Sequence, residues 1–391
     1  MNDFQTTYNR LRNGSSKWLK MTSEKEDVPE GIIPLSVADM EFQTAEVIKE
    51  ALKTYIDTEV LGYSKPTKAY LDSVTNFFDK FHKTKIENEW IVTTPGIVPA
   101  LATAVRAFSD VGDGVIIFTP VYPPFYEVVR GQGRRIEESP LIYSNNRYEI
   151  DFENLEKIAK KDDVKLILFC NPHNPSGIVW TRDEIERICQ IAKENDIILV
   201  SDEIHSDYVF NGEHVVLTDL SEYRDISICC TAPSKTFNIA GLQCSNILIP
   251  DKGIRNEFLR ANEVMGIERA NVLGLVAAKA CYDNGYDWLK EASEVIKQNL
   301  EIVDKFFSSL SDKFRVMEID ASFLAWINFE DLNVSTEEFY SWLDEANIFI
   351  NKGETFGEAA KYFIRLNVGL PTKDLINALD RFEKVFKEKH V

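Results

Sequence analysis

Long apolar runs are missing from this sequence: no stretch approaches the roughly 18 to 20 residues that a membrane-spanning helix needs. The opening residues, MNDFQTTYNRLRNGSSKW, also lack the apolar centre of a secretory signal. Positive charge is scarce. The 44 lysines and arginines face 63 aspartates and glutamates, for a formal net charge of −19. That balance argues against nucleic acid or an anionic membrane surface as partner, because both are bound through basic patches. Histidine is rare too, and the five present (His82, His173, His205, His214, His390) show no metal-ligand spacing, so no catalytic metal is expected. The six cysteines (Cys170, Cys189, Cys229, Cys230, Cys244, Cys281) form no C-x-x-C pair and lie inside apolar runs. This is the pattern of reduced thiols in a cytoplasmic protein, not of a disulfide framework. The segment GQGRR (131–135) lacks the third glycine and the strand–turn–helix setting of a dinucleotide site and reads as a turn. The basic tail KVFKEKH reads as a solvated helix end.

What is present is ample core material. A chain of 391 residues with 44% hydrophobic content exceeds one ordinary core and suggests two domains. Its middle alternates strand-like and helix-like runs. DGVIIFTP (113–120), VKLILFC (164–170), DIILVSD (196–202), DISICCTA (225–232) and SNILIP (245–250) are short and bounded by turn residues, and most are rich in β-branched residues. Between them stand helices such as 181–195, where Thr181 and Glu184 can form a capping box. Such alternation predicts an α/β fold with a largely parallel sheet covered on both faces. From about 286 the pattern changes to a long helix, a strand in 321–329, a helix near 335–346, a strand in 363–370 and a closing helix. We therefore expect a large α/β domain over 45–285 and a smaller α+β domain built from 1–44 and 286–391. The first 44 or so residues read as irregular.

In open α/β sheets, ligands bind beyond the carboxyl ends of the strands. There the chain delivers Tyr122, Asn174, Asp202, His205 and Lys235. A lysine between an apolar run and the weakly polar TFNIAGL needs a chemical reason, since buried lysines are rare. Together these residues suit pyridoxal 5′-phosphate. Lys235 supplies the amine for a Schiff base, and Asp202 the carboxylate that keeps the ring nitrogen protonated. Tyr122 stacks on the ring, and Asn174 donates to its phenolic oxygen. A glycine turn runs into a helix at TTPGIVPALATAVRAF (93–108), so the amides of Ile97 and Val98 form an anion cradle, with the Ser234 hydroxyl beside them.

LSVADMEF (35–42), GYSKP (62–66), PGIVPAL (95–101), PVYPPF (120–125), CNPHNPSG (170–177), SDEIHSDYV (201–209), SKTFNIAGL (234–242) and FIRLNVGLP (363–371) occur in that order. On these the chain resembles, over almost its whole length, the fold-type I pyridoxal-phosphate enzymes of the class I/II aminotransferase family. Within them it is similar to the branch of cystathionine β-lyase and cystalysin-like carbon–sulfur lyases. The resemblance implies the aspartate-aminotransferase type of fold, with a large, mostly parallel sheet of the seven-stranded type. It implies that Arg365 grips the substrate carboxylate by a bidentate pair. Tyr63 is implied to reach the cofactor phosphate of the neighbouring subunit of a homodimer, and Val37 and Ala38 to line the substrate pocket beside Tyr122 and Asn174. Two positions depart from the wider family: Gln243 stands where an arginine commonly binds the phosphate, and His205 where a tyrosine is common. His205 is read as a hydrogen-bonding residue behind the cofactor.

The implied reaction is α,β-elimination of L-cystathionine or a related cysteine S-conjugate to a thiol, pyruvate and ammonia. Lys235, Asp202 and Tyr122 are the catalytic residues of this reading. The same machinery serves an aminotransferase that passes the amino group to a 2-oxo acid, and a non-catalytic binding protein on this scaffold is a third possibility.

Overall fold

β-Branched runs too short for helices pair into a central sheet, and the alternation of their side chains decides which core each residue joins. The structure, a computed structural model, describes residues 2–267 and 270–389. Its first nine strands are β1 (Ile91–Thr94), β2 (Gly114–Thr119), β3 (Arg135–Pro140), β4 (Ile142–Ser144), β5 (Arg147–Glu149), β6 (Val164–Cys170), β7 (Ile198–Asp202), β8 (Ser227–Thr231) and β9 (Ser245–Leu248). Seven of them form one sheet in the order β1-β9-β8-β7-β6-β2-β3. Neighbouring pairs are parallel except those of β9, which runs antiparallel to both β1 and β8. The expected α/β architecture with a mostly parallel sheet is therefore what forms.

Two cores lie on opposite faces of this sheet. Val115, Ile117, Leu166, Leu168, Val200 and Ile228 pack with Ala100, Leu101 and Ala104 of the helix Ile97–Phe108. The alternate residues Ile116, Ile167, Phe169, Leu199 and Cys229 join Ile185, Ile188 and Cys189 of the helix Arg182–Glu194. That helix begins with the expected capping box: Thr181 accepts from the Glu184 amide, and the Glu184 carboxylate accepts from the Thr181 amide. In register, Asp202 sits opposite Cys170 of β6 and Cys230 of β8, so the carboxyl ends of the three central strands finish together. That edge is where the site forms.

Four further strands, β10 (Arg315–Val316), β11 (Leu324–Asn328), β12 (Asn351–Lys352) and β13 (Phe363–Asn367), make an antiparallel sheet in the order β10-β11-β13-β12. The helices Tyr286–Leu310, Thr336–Glu345 and Thr372–Lys389 carry Phe307, Phe339 and Phe382 into one aromatic cluster with Phe314.

Some elements differ from the sequence reading. The stretch read as irregular contains the helix Ser16–Glu24, held by buried Trp18 and Met21 three residues apart. Edge strands β1 and β3 went unread; β3, RIEESP, is largely polar because one side of it faces solvent. β4 and β5 form a hairpin whose two loop residues, Asn145 and Asn146, both have positive φ (49° and 59°), a geometry asparagine tolerates well. Among the described residues no helix is long and apolar enough to cross a membrane.

Candidate active site

The loop after β8 turns into a short helix, Pro233–Thr236, that carries Lys235. Its Nζ donates to the Ala38 carbonyl at 2.6 Å. Burial lowers the amine's proton affinity, and Arg365 lowers it further; Asp39 and Asp202 oppose them, leaving the pKa at about 8. The backbone that meets this amine is fixed from several sides. Asn367 Nδ2 donates to the carbonyls of Val37 (2.7 Å) and Asp39 (2.9 Å), and Asn238 Oδ1 accepts from the Met40 amide at 3.1 Å.

Asp202 ends β7 and accepts from the Ile204 amide at 3.2 Å. Burial raises its pKa to about 7, and the Ile204 hydrogen bond and the nearby Lys235 charge limit that rise. Amine and acid thus form a coupled pair in which either proton state is near at hand at neutral pH.

Arg365, in the middle of β13, is buried and held at both ends. Nη1 donates to Asn174 Oδ1 at 2.8 Å and Nη2 to Asn351 Oδ1 at 2.9 Å. Its guanidinium stands 4.8 Å from the centre of the Phe356 ring. That ring belongs to the turn Gly353–Phe356, which packs so closely that a Cβ on Gly353 would lie 1.9 Å from the Ala360 carbonyl oxygen. Burial lowers the arginine's pKa to about 10, yet it stays cationic at neutral pH. Because Asn174 Oδ1 is committed to Arg365, whatever Asn174 donates comes from its Nδ2.

Tyr122 lies beside them: its amide donates to the Asn174 carbonyl at 3.1 Å. Its phenol is pushed upward by burial and by Asp202, with Arg365 acting against them. His205 is buried, with its ring edge-to-face on Phe323. Burial and the charges of Lys235 and Arg365 hold it neutral, with a pKa of about 3, and its Nδ1 has no partner among the described residues. Gly96, at φ 140°, opens the helix Ile97–Phe108, so the amides of Ile97 and Val98 are first-turn donors without helical acceptors. Ser234 sits half-buried next to Lys235.

The structure thus gathers Lys235, Asp202, Asn174, Tyr122, Arg365 and the Val37–Ala38 backbone into one neighbourhood. Tyr63 is fully exposed. It lines a separate open cleft of about 1110 Å³ with Leu61, Val92, Leu259 and Asn262. Gln243 is exposed and has φ 47°. His390 lies outside the described residues. Asn351 lies in no motif, and Asn367 and Asn238, though inside FIRLNVGLP and SKTFNIAGL, are given no role by the sequence. Only their position opposite Arg365 and the 37–40 backbone reveals them.

Chemically, an amine of lowered basicity, a buried acid and a helix amino terminus fit an anionic aldehyde with a basic ring nitrogen. The buried arginine adds a grip for a carboxylate. The model of the family described as "Aminotransferase class I and II" matches residues 30–382. Cystathionine beta-lyase PatB of Bacillus subtilis is 38% identical over 384 residues, 97% of this chain and 99% of that one. Protein MalY of Escherichia coli is 30% identical over 348 residues, covering 88% of this chain and 89% of its own. Cystalysin from Treponema denticola, whose crystal structure contains pyridoxal 5′-phosphate, superposes with a TM-score of 0.97 at 39% identity, over 100% of both chains.

Proposed function

As a member of the aminotransferase class I and II family, this chain, we propose, is a pyridoxal 5′-phosphate-dependent carbon–sulfur lyase. Its reaction is the α,β-elimination of L-cystathionine or a related cysteine S-conjugate to a thiol, pyruvate and ammonia. The observation that carries the cofactor assignment is the pairing of Asp202, at the end of β7, with Lys235, just past the adjacent β8, beside Arg365. The full-length similarity to a cystathionine beta-lyase supports elimination over transamination.

In this reading residues 45–285 hold the cofactor, and 1–44 with 286–391 form the smaller unit. Lys235 binds the cofactor covalently, Asp202 keeps its ring nitrogen protonated, Tyr122 covers its face and Asn174 Nδ2 meets its phenolic oxygen. His205, neutral and partnerless at Nδ1, lies behind it. The amides of Ile97 and Val98 and the Ser234 hydroxyl hold the phosphate, and Gln243 leaves them without an arginine. When bound, pyridoxal 5′-phosphate supplies a sink for the electron pair left at the substrate Cα.

Arg365 takes the substrate carboxylate in two parallel hydrogen bonds. Its seat between Asn174, Asn351 and Phe356 fixes the direction from which the substrate presents Cα. With pyridoxal 5′-phosphate bound, the Lys235 amine would be the base that takes the substrate Cα proton. The Ala38 carbonyl, which accepts from this amine at 2.6 Å, keeps it beside the Val37–Ala38 wall. The Cβ–S bond would then break, the sulfur leaving as thiol with the proton that Lys235 took from Cα. Water then replaces nitrogen in the remaining three-carbon unit, giving pyruvate and ammonia.

The exposed Tyr63, with Val60, Leu61 and Leu259 exposed nearby in the chain or the cleft, supports a homodimer in which Tyr63 serves the partner's phosphate. A net charge of −19 and six free, buried cysteines support a cytoplasmic setting.

The deciding experiment is incubation of the purified protein with L-cystathionine and no 2-oxo acid. Pyruvate and free thiol accumulating over many turnovers are expected. A single half-turnover ending with the cofactor in its amine form would instead mean an aminotransferase.

A further inference from the structure

Next to Lys235, around Thr236, lies a buried polar cluster that the proposed reaction does not use. Asp207, five residues after Asp202, accepts from the Thr236 hydroxyl through Oδ2 at 2.5 Å. Its other oxygen, Oδ1, is paired with His82 Nε2 at 2.8 Å, and both side chains are almost fully enclosed. Next in sequence, Tyr208 donates its hydroxyl to the Thr236 carbonyl at 2.7 Å. The residue directly after Lys235 is therefore gripped at its side chain and at its backbone by two consecutive residues of the segment that begins with Asp202.

The cluster has a second layer. His82 closes a π-helical turn, Phe78–His82, and is walled by Phe77, Phe78 and Phe81, with ring centres 5.0 to 5.9 Å away. Turns of this kind are uncommon in proteins and often sit at functional sites. His82 also meets His214 edge-to-face at 5.9 Å. His214 Nε2 pairs with Glu203 at 2.9 Å, and the other Glu203 oxygen accepts from the Leu217 amide at 3.0 Å. Glu203 is the neighbour of Asp202. The two acid–histidine pairs thus stand against each other, one fixing the residue after Asp202 and the other the residue after Lys235. Tyr282 and the Ser206 hydroxyl are the other polar groups near Asp207.

We propose that Asp207, backed by His82, is a positioning residue that sets where the Lys235 amine stands relative to Asp202. The inference rests on the assignment of those two residues to the cofactor. A carboxylate is suited to this task because it takes a donor on each oxygen, and both charge-assisted bonds are shielded from water. An unpaired buried acid would be costly, which accounts for a histidine held in an otherwise apolar nest. Asp207 touches neither substrate nor cofactor. It acts through Thr236.

The test compares Asp207→Asn, Thr236→Val and Thr236→Ser as cofactor-loaded proteins. Pyruvate formation gives kcat and KM, and the absorbance of the bound cofactor is titrated against pH. Thr236→Val keeps the shape and removes the donor, so it decides the matter if Asp207→Asn does not fold. For Thr236→Val, and for Asp207→Asn where it folds, we expect kcat to fall about tenfold with KM within about twofold. The midpoint of the absorbance titration should move by about half a pH unit or more, and Thr236→Ser should recover most of both effects. Wild-type kcat and titration midpoint in Thr236→Val would overturn the proposal, as would an equal loss in Thr236→Ser. These results differ from failure of the cofactor assignment itself, which would appear as a wild-type protein that binds no cofactor through Lys235.

Discussion

The surroundings of Lys235 and the cleft beside Tyr63 are built to different degrees of completion. Around Lys235 the principal charged groups have partners from the same chain: the amine meets Ala38, the arginine meets two asparagines, and the acid meets a backbone amide. At the cleft, a tyrosine stands fully exposed next to exposed leucines, with no partner for its hydroxyl among the described residues. The first region is a finished piece of chemistry. The second is an open surface, the kind that the proposed dimer would complete.

The strongest way to break this contrast is to disable each region separately. Lys235→Ala should lower pyruvate formation on the order of a thousandfold or more and abolish covalent cofactor attachment, seen by mass spectrometry under reducing conditions. Mixing inactive Lys235→Ala with Tyr63→Ala, after unfolding and refolding together, should restore activity through hybrid dimers that hold one intact site. A mixture no more active than its parts would show that Tyr63 serves its own chain. Next in size is Arg365→Lys. It keeps the charge but loses the two-pronged geometry, and kcat/KM should fall about 10- to 100-fold while cofactor absorbance is unchanged.

A smaller effect sharpens the view of the finished region. Only the neutral Lys235 amine attacks an aldehyde, and its pKa is lowered to about 8. The rate of cofactor capture by the cofactor-free protein should therefore rise about tenfold per pH unit below that value and level off above it. Stopped-flow absorbance reads this directly, and a profile still climbing steadily to pH 10 would mean an unperturbed lysine. Smallest of all, Thr181→Ala removes a helix cap remote from both regions. It should cost about 1 kcal/mol in denaturant midpoint measurements and leave turnover as it was.

Much of this contrast was legible in the sequence, for physical reasons that also mark its limits. Strands β2, β6, β7 and β8 announce themselves because burial on both faces demands unbroken apolar runs, and the residues that follow them must then converge on one edge. Lys235 stood out because an amine after an apolar strand has no bland explanation. Edge strand β3 was not legible, since half of it faces water, and neither was the helix Ser16–Glu24, whose apolar face is only Trp18 and Met21. Asn351 and Asn367 were missed because an asparagine that supports an arginine or a backbone carbonyl needs no particular neighbour in sequence. The same holds for Asp207 and His82, which are 125 residues apart along the chain and meet only in the fold.

The contact between Asn174 and Arg365 ties a loop of the seven-stranded sheet to the middle strand of the four-stranded one. One consequence is that the clamp is aimed by its own chain. The positive charge does not have to search for its orientation when a carboxylate arrives, so little rotational freedom is surrendered on capture. A second is mechanical coupling: any tilt of the smaller sheet drags the Asn174 amide with it, so slack in the clamp is passed to the loop that follows β6.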